Sequence, residues 1–179
     1  GCGQCAAACP TGAASYALPP ADALLGKIRT LLSTYREAGG SHPVVLVHDE
    51  WHGTELIDAL SRYGDGMPAN VLPLVVNEVT QIGLEAIAAA IAYGASGIRF
   101  LLRARPKHDI DGLKKTIALA EPILAGLGFG ASRVTTIETD DPDVLGTALR
   151  ADELLEPIPQ PATFTPVGSK RDALRLGSA

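Results

Sequence analysis

Two short apolar stretches in the middle of the chain, Val71-Leu-Pro-Leu-Val-Val76 and Gly97-Ile-Arg-Phe-Leu-Leu102, decide the fold. Each is followed by a segment with helical periodicity, over residues 80–93 and 109–127 respectively. Continuous apolar runs of this length are typical of strands that are covered on both faces. The two stretches therefore predict buried strands, each leading into a helix.

Two further strand-then-helix units flank this pair: Pro43–His48 with a helix over 53–63, and Arg133–Ile137 with a helix over 142–150. Alternating strands and helices predict a parallel sheet with right-handed crossovers. We therefore expect an α/β fold, with an open parallel four-stranded sheet and helices on both faces, over residues 41–153.

Three segments lie outside this predicted domain. Residues 1–18 are short, rich in Gly and Ala, and carry every cysteine. Residues 19–40 are predicted to form a linker helix, because apolar side chains recur at helical spacing: Leu24, Leu25, Ile28, Leu31, Leu32 and Tyr35. Residues 154–179 begin with a Pro-rich stretch, which predicts an extended arm or linker.

The charge balance and the apolar pattern exclude some classes of protein. The 179 residues include 15 basic and 20 acidic side chains, and the net charge of −5 argues against a nucleic-acid binder. We find neither an apolar run near the roughly 20 residues of a membrane span nor a signal-peptide pattern. We therefore expect a cytoplasmic protein without a membrane span, and the sequence sets no oligomeric state.

The three cysteines form the most informative motif, Cys2-x-x-Cys5-x-x-x-Cys9-Pro10. Bacterial [4Fe–4S] ferredoxins use Cys-x₂-Cys-x₂-Cys-x₃-Cys-Pro, and this chain has the last three cysteines and the proline. The stretch resembles the second half of a ferredoxin cluster module. A zinc site, which would need four N or S ligands, and a cysteine loop without metal are the alternatives.

This resemblance implies that Cys2, Cys5 and Cys9 bind a [4Fe–4S] cluster in a longer parent protein. In two-cluster ferredoxins the last cysteine of each run ligates the other cluster. We therefore expect the chain to be a fragment, in which the cluster is incomplete or absent.

The segment from Asn70 to Leu149 resembles the hydrogenase iron–sulfur subunit family, the delta subunit of methyl-viologen-reducing hydrogenase. The resemblance is carried by Val71–Ile87, Ala92–Ile98 and Leu127–Val134. That family places cysteines at the ends of its strands, and this chain has none at the corresponding positions: Leu74–Val76, Leu102–His108 and His48–His52. The resemblance implies the fold and an electron-transfer setting, but no cluster in this domain.

Polar side chains after the first predicted strand form a candidate metal site: His48, Asp49, Glu50 and His52. Ligands of open α/β sheets bind outside the carboxyl ends of the strands, and His with carboxylate suits Zn, Fe or Mn. The alternative is that the acidic side chains only favour the start of the next helix.

A basic loop follows the third predicted strand, with Arg103, Arg105 and Lys107. Such a loop is a candidate for binding an anion, a nucleotide phosphate or an acidic redox partner. The alternative is a solvated loop whose arginines pair with Asp140 and Asp141. No Gly-x-Gly-x-x-Gly follows a predicted strand and no Walker-type loop occurs, which disfavours classical dinucleotide or ATP binding. Because a Gly-x-Ser-x-Gly turn is also absent, we predict no catalytic residues.

Together these features favour part of a cytoplasmic iron–sulfur electron-transfer protein. Its α/β domain would serve as a docking scaffold for a partner oxidoreductase, such as a dehydrogenase or a molybdenum or hydrogenase-type enzyme. Two alternatives remain open. The domain would bind a flavin, nucleotide or metal at the carboxyl ends of its strands, or it would be a protein-interaction module without a ligand.

Overall fold

The computed structural model describes residues 3–165, 170 and 172. In these residues the chain forms four strands: β1 (Val44–Asp49), β2 (Val71–Val76), β3 (Gly97–Leu102) and β4 (Val134–Glu138). It also forms six α-helices: α1 (Gln4–Ala8), α2 (Ala21–Glu37), α3 (His52–Tyr63), α4 (Leu84–Ala92), α5 (Asp111–Gly126) and α6 (Pro142–Arg150).

The strands form one open sheet in the order β2-β1-β3-β4, and every neighbouring pair is parallel. The register places Asp49 of β1 beside Val76 of β2, and Leu102 of β3 beside Glu138 of β4. The loops that follow the four strands therefore all begin at the same edge of the sheet, its carboxyl edge. The predicted α/β fold is confirmed.

Helices cover both faces of the sheet, as the sequence predicts. On one face α2, α4 and α5 pack over alternate strand residues such as Val45, Val47 and Phe100. On the other face α3 and α6 pack over Val44 and Leu46. Burial on both faces explains why the strand sequences are continuously apolar.

The helix predicted over 19–40 is part of this layered core. Leu24, Leu25, Ile28 and Leu32 of α2 are buried in the same cluster as the side chains of α4. The single helix predicted over 80–93 is wrong, because the structure divides it into a 3-10 turn (Val79–Gln81) and α4. Ile82 and Gly83 between them have extended ψ angles of 118° and 177°.

The Pro-rich arm follows the helical face that contains α2 and α4. Ala162 donates its backbone N–H to the Ala92 carbonyl, and Arg29 donates to the Thr163 carbonyl. The Tyr93 hydroxyl donates to the Phe164 carbonyl, and the two rings lie 5.7 Å apart. Residues 166–169 of the arm lie outside the described residues.

None of the helices within residues 3–165 has both the length and the apolar character needed to cross a membrane.

Candidate functional site

The described part of the cysteine segment, residues 3–16, lies against the carboxyl edge of the sheet, and we call it the cysteine loop. Its helix α1 begins after Gly3, whose φ of +77° suits glycine, and a Cβ at this position would meet the Gln81 Cβ at 2.6 Å. The Gln4 side chain donates to the carbonyl of Asp109, in the loop after β3. Asn77, which follows β2, donates its amide N–H to the Tyr16 hydroxyl at 2.6 Å. These contacts fix the segment around Cys5 to two strand-end loops.

Lys170 adds a third anchor to the cysteine loop. Its ammonium Nζ donates to the carbonyls of Ala6 and Ala7, each at 2.7 Å, and lies 3.3 Å from the Glu85 carboxylate. The side chains of Lys170 and Glu85 are only 15% and 12% exposed. Burial raises the pKa of Glu85, while the Lys170 charge opposes that shift. The charge pair therefore holds the peptide between Cys5 and Cys9 against α4.

The Cys9 thiol lies in surroundings that favour its ionised form. Its Sγ accepts a hydrogen bond from the Ala14 backbone N–H at 3.4 Å and lies 3.5 Å from the Thr11 hydroxyl. These contacts, the Ala14 N–H first and then the Thr11 hydroxyl, lower the pKa of Cys9 to about 6. Cys9 is therefore largely a thiolate at neutral pH, which is the form that binds metals.

The cysteine donors fit an iron–sulfur cluster in type but not in number. Cluster sulfurs accept hydrogen bonds from the protein, as the Cys9 sulfur does here. Cys5 is exposed, and Cys2 lies outside the described residues. A [4Fe–4S] cluster takes four thiolates, and this chain has three cysteines. The cysteines of this chain alone are therefore one thiolate short of the set that such a cluster takes.

The candidate metal ligands at the end of β1 and in the turn after it do not form one centre. Asp49 Oδ1 accepts from the backbone N–H groups of His52 and Gly53, at 2.6 and 3.0 Å, and so caps the start of α3. Glu50 is exposed. His48 is buried, which lowers its pKa, and its Nδ1 lies 3.0 Å from the Asp49 carbonyl. Asp49 therefore has the role given by the alternative interpretation, in which an acidic side chain favours the start of the next helix.

His52 connects two strand-end loops rather than facing His48. Its Nε2 lies 3.0 Å from the Thr139 carbonyl and 3.0 Å from Asp140 Oδ1. Over the described ranges, no three His, Cys, Asp or Glu side chains form a group that could hold a metal ion. Metal binding by His48, Asp49, Glu50 and His52 stays a prediction.

The basic loop after β3 does not form the ion pairs of the alternative interpretation. Asp140 instead faces His52 and the Ala104 backbone N–H, and Asp141 accepts from the first N–H groups of α6. Arg103, Arg105 and Lys107 have no ion pair with any residue in the part of the chain described. The expectation that these arginines pair with Asp140 and Asp141 is wrong.

Two of these three cations line a cleft of about 240 Å³ at the carboxyl edge, which we call the edge cleft. Its lining comprises Asp49, Trp51, Asn77, Glu78, Val79, Thr80, Leu101, Leu102, Arg103, Pro106, Lys107, His108 and Ile110. Arg105 does not line it. The edge cleft therefore joins the loops that follow β1, β2 and β3.

Trp51 is a lining residue to which sequence analysis gave no role. It is the chain's one tryptophan, and it is 70% exposed. A tryptophan in the short loop that follows the predicted strand Pro43–His48 was the available signal, because ligands of such sheets bind at this edge. Asn77 also contacts the cysteine loop, so the two features are neighbours.

Comparison with known proteins finds no matching family model and no matching curated protein. The ferredoxin and hydrogenase-subunit resemblances therefore stay predictions that rest on the sequence motifs.

Proposed function

We propose that this protein is an iron–sulfur electron-transfer component, in which the α/β domain holds the cysteine loop and serves as a docking scaffold for a partner oxidoreductase. The observation that carries the proposal is the Cys9 sulfur, which accepts the Ala14 N–H and has its pKa lowered to about 6. This thiolate lies in a loop with the cysteine spacing of ferredoxins.

The way the loop is anchored supports a role at this edge. Gln4, Lys170 and Asn77 each make a contact that ties the segment of residues 3–16 to a different part of the domain. These contacts hold the backbone on both sides of Cys5 against the domain. Contacts around metal ligands help to orient those ligands, so this anchoring supports the proposal.

In this proposal Cys2, Cys5 and Cys9 supply three thiolates. A [4Fe–4S] cluster bound there would take up and release electrons. The residues of the chain have separate tasks: the Ala14 N–H and the Thr11 hydroxyl stabilise negative charge on the Cys9 sulfur, and Lys170 fixes the carbonyls of Ala6 and Ala7.

Docking of the redox partner belongs to the same proposal. The exposed Arg105 and Lys107 lie on the loop between β3 and α5, at the edge that carries the cysteine loop. Exposed cations in a protein of net charge −5 attract an acidic surface locally. A dehydrogenase or a molybdenum or hydrogenase-type oxidoreductase with an acidic face would dock there and carry out the substrate chemistry.

Anaerobic reconstitution tests this proposal. The full chain would be incubated with ferrous iron, sulfide and a small thiol that offers the fourth ligand, then desalted and analysed for iron and sulfide. The chain alone is expected to leave the cluster incomplete or absent, and the added thiol supplies the coordination that it lacks. With the thiol we expect about four iron and four sulfide ions per chain, as for a [4Fe–4S] cluster, together with a broad visible absorption band that dithionite bleaches.

Three variants locate the bound iron. Cys5→Ser and Cys9→Ser should each lose most of the iron and colour, whereas His48→Gln should keep both, because the His48 ring is buried and lies against the Asp49 carbonyl. A folded protein that stays free of iron, or iron retained by the Cys5→Ser/Cys9→Ser double variant, would contradict the proposal.

A further inference from the structure

The edge cleft lies where the strand order of the sheet reverses. From β1 the chain passes to β2 on one side and then to β3 on the other side of β1. The loops after β1 and β3 therefore separate and leave a crevice, which is where open α/β sheets bind their ligands. The first loop contributes Trp51 to the edge cleft, and the second contributes Arg103 and Lys107.

The edge cleft is lined by two carboxylates and two cations, which differ in what they already contact. Its two carboxylates are already engaged with backbone N–H donors: Asp49 caps α3, and Glu78 accepts from the Gln81 N–H. Arg103 and Lys107 have no acidic partner within the described residues. Unengaged cations beside engaged carboxylates suit an anionic ligand, and a guanidinium matches the geometry of phosphate oxygens.

Trp51 gives the edge cleft an aromatic wall. The side chain is 70% exposed although the rest of the chain is poor in aromatic residues. An indole in this position presents a planar face on which a heterocyclic ring stacks. Arg103 and Trp51 thus offer the two kinds of contact that a phosphorylated heterocycle needs.

The volume of the edge cleft limits the size of the ligand. At about 240 Å³, the cleft is slightly smaller than the roughly 300–1,000 Å³ of sites for drug-sized ligands. A phosphate and part of one ring system fill this volume, which favours a mononucleotide over a dinucleotide. The chain has no Gly-rich phosphate loop after a strand. Side-chain cations would therefore bind the phosphate instead.

We propose that the edge cleft binds a mononucleotide, with its heterocycle stacked on Trp51 and its phosphate held by Arg103 and Lys107. Some five-stranded sheets of order 2-1-3-4-5, whose first four strands are ordered as in this sheet, bind flavin mononucleotide at the crossover between β1 and β3, so flavin mononucleotide is the first probe. The inference rests on the edge cleft alone and does not depend on iron binding by the cysteines.

The single tryptophan makes the test direct. The full chain would be titrated with flavin mononucleotide, AMP, riboflavin, adenosine and inorganic phosphate, with Trp51 fluorescence and calorimetry as parallel readouts. We expect saturable quenching by at least one of the two mononucleotides. The matching nucleoside, riboflavin or adenosine, should bind at least about tenfold more weakly than its mononucleotide, because it loses the phosphate contact. Inorganic phosphate should also bind at least about tenfold more weakly, because it loses the stacking contact. Whichever of flavin mononucleotide and AMP binds more tightly shows which heterocycle the edge cleft prefers.

Matched variants of the basic loop separate the edge cleft from general charge attraction. Arg103→Gln and Lys107→Gln should weaken mononucleotide binding at least about tenfold in calorimetry, through loss of a charge-assisted bond. Arg105→Gln, which removes a cation of the same loop outside the edge cleft, should leave the affinity unchanged.

Three results would overturn the inference. The first is that neither mononucleotide binds saturably at millimolar concentration. The second is that riboflavin and adenosine bind as tightly as their phosphates, or that inorganic phosphate binds as tightly as the mononucleotides. The third is that Arg105→Gln weakens binding as much as Arg103→Gln. Failure of iron binding would leave each of these readings intact.

Discussion

Arginines at the two edges of the sheet differ in what their guanidinium groups contact. Toward the amino edge, Arg99 is 3% exposed and donates to both carboxylate oxygens of Asp152, at 2.7 and 2.6 Å. The nearby Arg133 donates to the carbonyls of Phe129, Ser96 and Glu156, each at 2.7 Å. At the carboxyl edge, Arg103 lines a cleft and lacks an ion pair with the described residues.

This difference separates charges that hold the fold from charges that are available for binding. Arg99 and Arg133 are desolvated, and each makes several hydrogen bonds within the protein, so their removal should affect stability. Arg103 and Lys107 have no ion-pair partner in the part of the chain that the structure describes, so their removal should affect ligand binding instead.

The largest effect should come from Asp152→Ala. The substitution leaves the buried Arg99 without its carboxylate, and we expect a loss of roughly 3–5 kcal/mol in the free energy of unfolding. Denaturant titration followed by circular dichroism measures it. Asp58→Ala is the matched control, because Asp58 pairs with Arg62 on the surface of α3 and should cost about 0.5 kcal/mol or less. Equal losses of stability for the two variants would contradict the role of the Arg99–Asp152 pair in holding the fold.

Arg133→Met should have the next largest effect. Methionine keeps much of the apolar stem but leaves the Ser96 and Glu156 carbonyls without their donor, at a cost of roughly 1–3 kcal/mol. The same denaturant titration applies, with Arg62→Met as the exposed control. A stability change no greater than that of the control would mean that the Arg133 hydrogen bonds do not hold the arm at Glu156.

At the carboxyl edge, the Cys9 thiol should titrate well below an ordinary cysteine. In metal-free protein, the alkylation rate of Cys9 should rise with pH and reach half its maximum near a pKa of about 6. Thr11→Val removes the hydroxyl contact and should move this midpoint upward, whereas Thr11→Ser should retain it. Mass spectrometry of the alkylated peptide reports the rate. A Cys9 midpoint near the ordinary value of 9.0 would be inconsistent with the site described.

The smallest effect on stability should come from Arg103→Gln and Lys107→Gln. Because neither side chain has an ionic partner among the described residues, we expect each to change the free energy of unfolding by less than about 0.5 kcal/mol. The denaturant titration used for Asp152→Ala measures this as well. A loss above about 2 kcal/mol would place Arg103 among the structural arginines.

Local periodicity predicts most of the fold. The strands Val71–Val76 and Gly97–Leu102 and the helix Pro142–Arg150 have the bounds that their apolar patterns indicate. The break at Gly83 was missed, because an isolated glycine in an apolar run does not show whether the backbone leaves the helix.

The site was less predictable because it depends on contacts between distant residues. In the sequence, Arg99 and Arg103 look alike, because both lie in or next to the same predicted strand. Only the fold brings Asp152, 53 residues away, to Arg99. Lys170 likewise reaches the carbonyl of Ala6 across 164 residues. The cysteine motif and the basic loop could be found in the sequence, whereas the edge cleft between loops could not.

Reversible one-electron reduction of the reconstituted protein is the most direct test of the electron-transfer proposal. A spectroelectrochemical titration would follow the visible absorption band against potential, with Cys9→Ser as the control. The account predicts one reversible transition with a one-electron slope, lost in Cys9→Ser. A protein with no redox-active band, or with a band that Cys9→Ser retains unchanged, would contradict it.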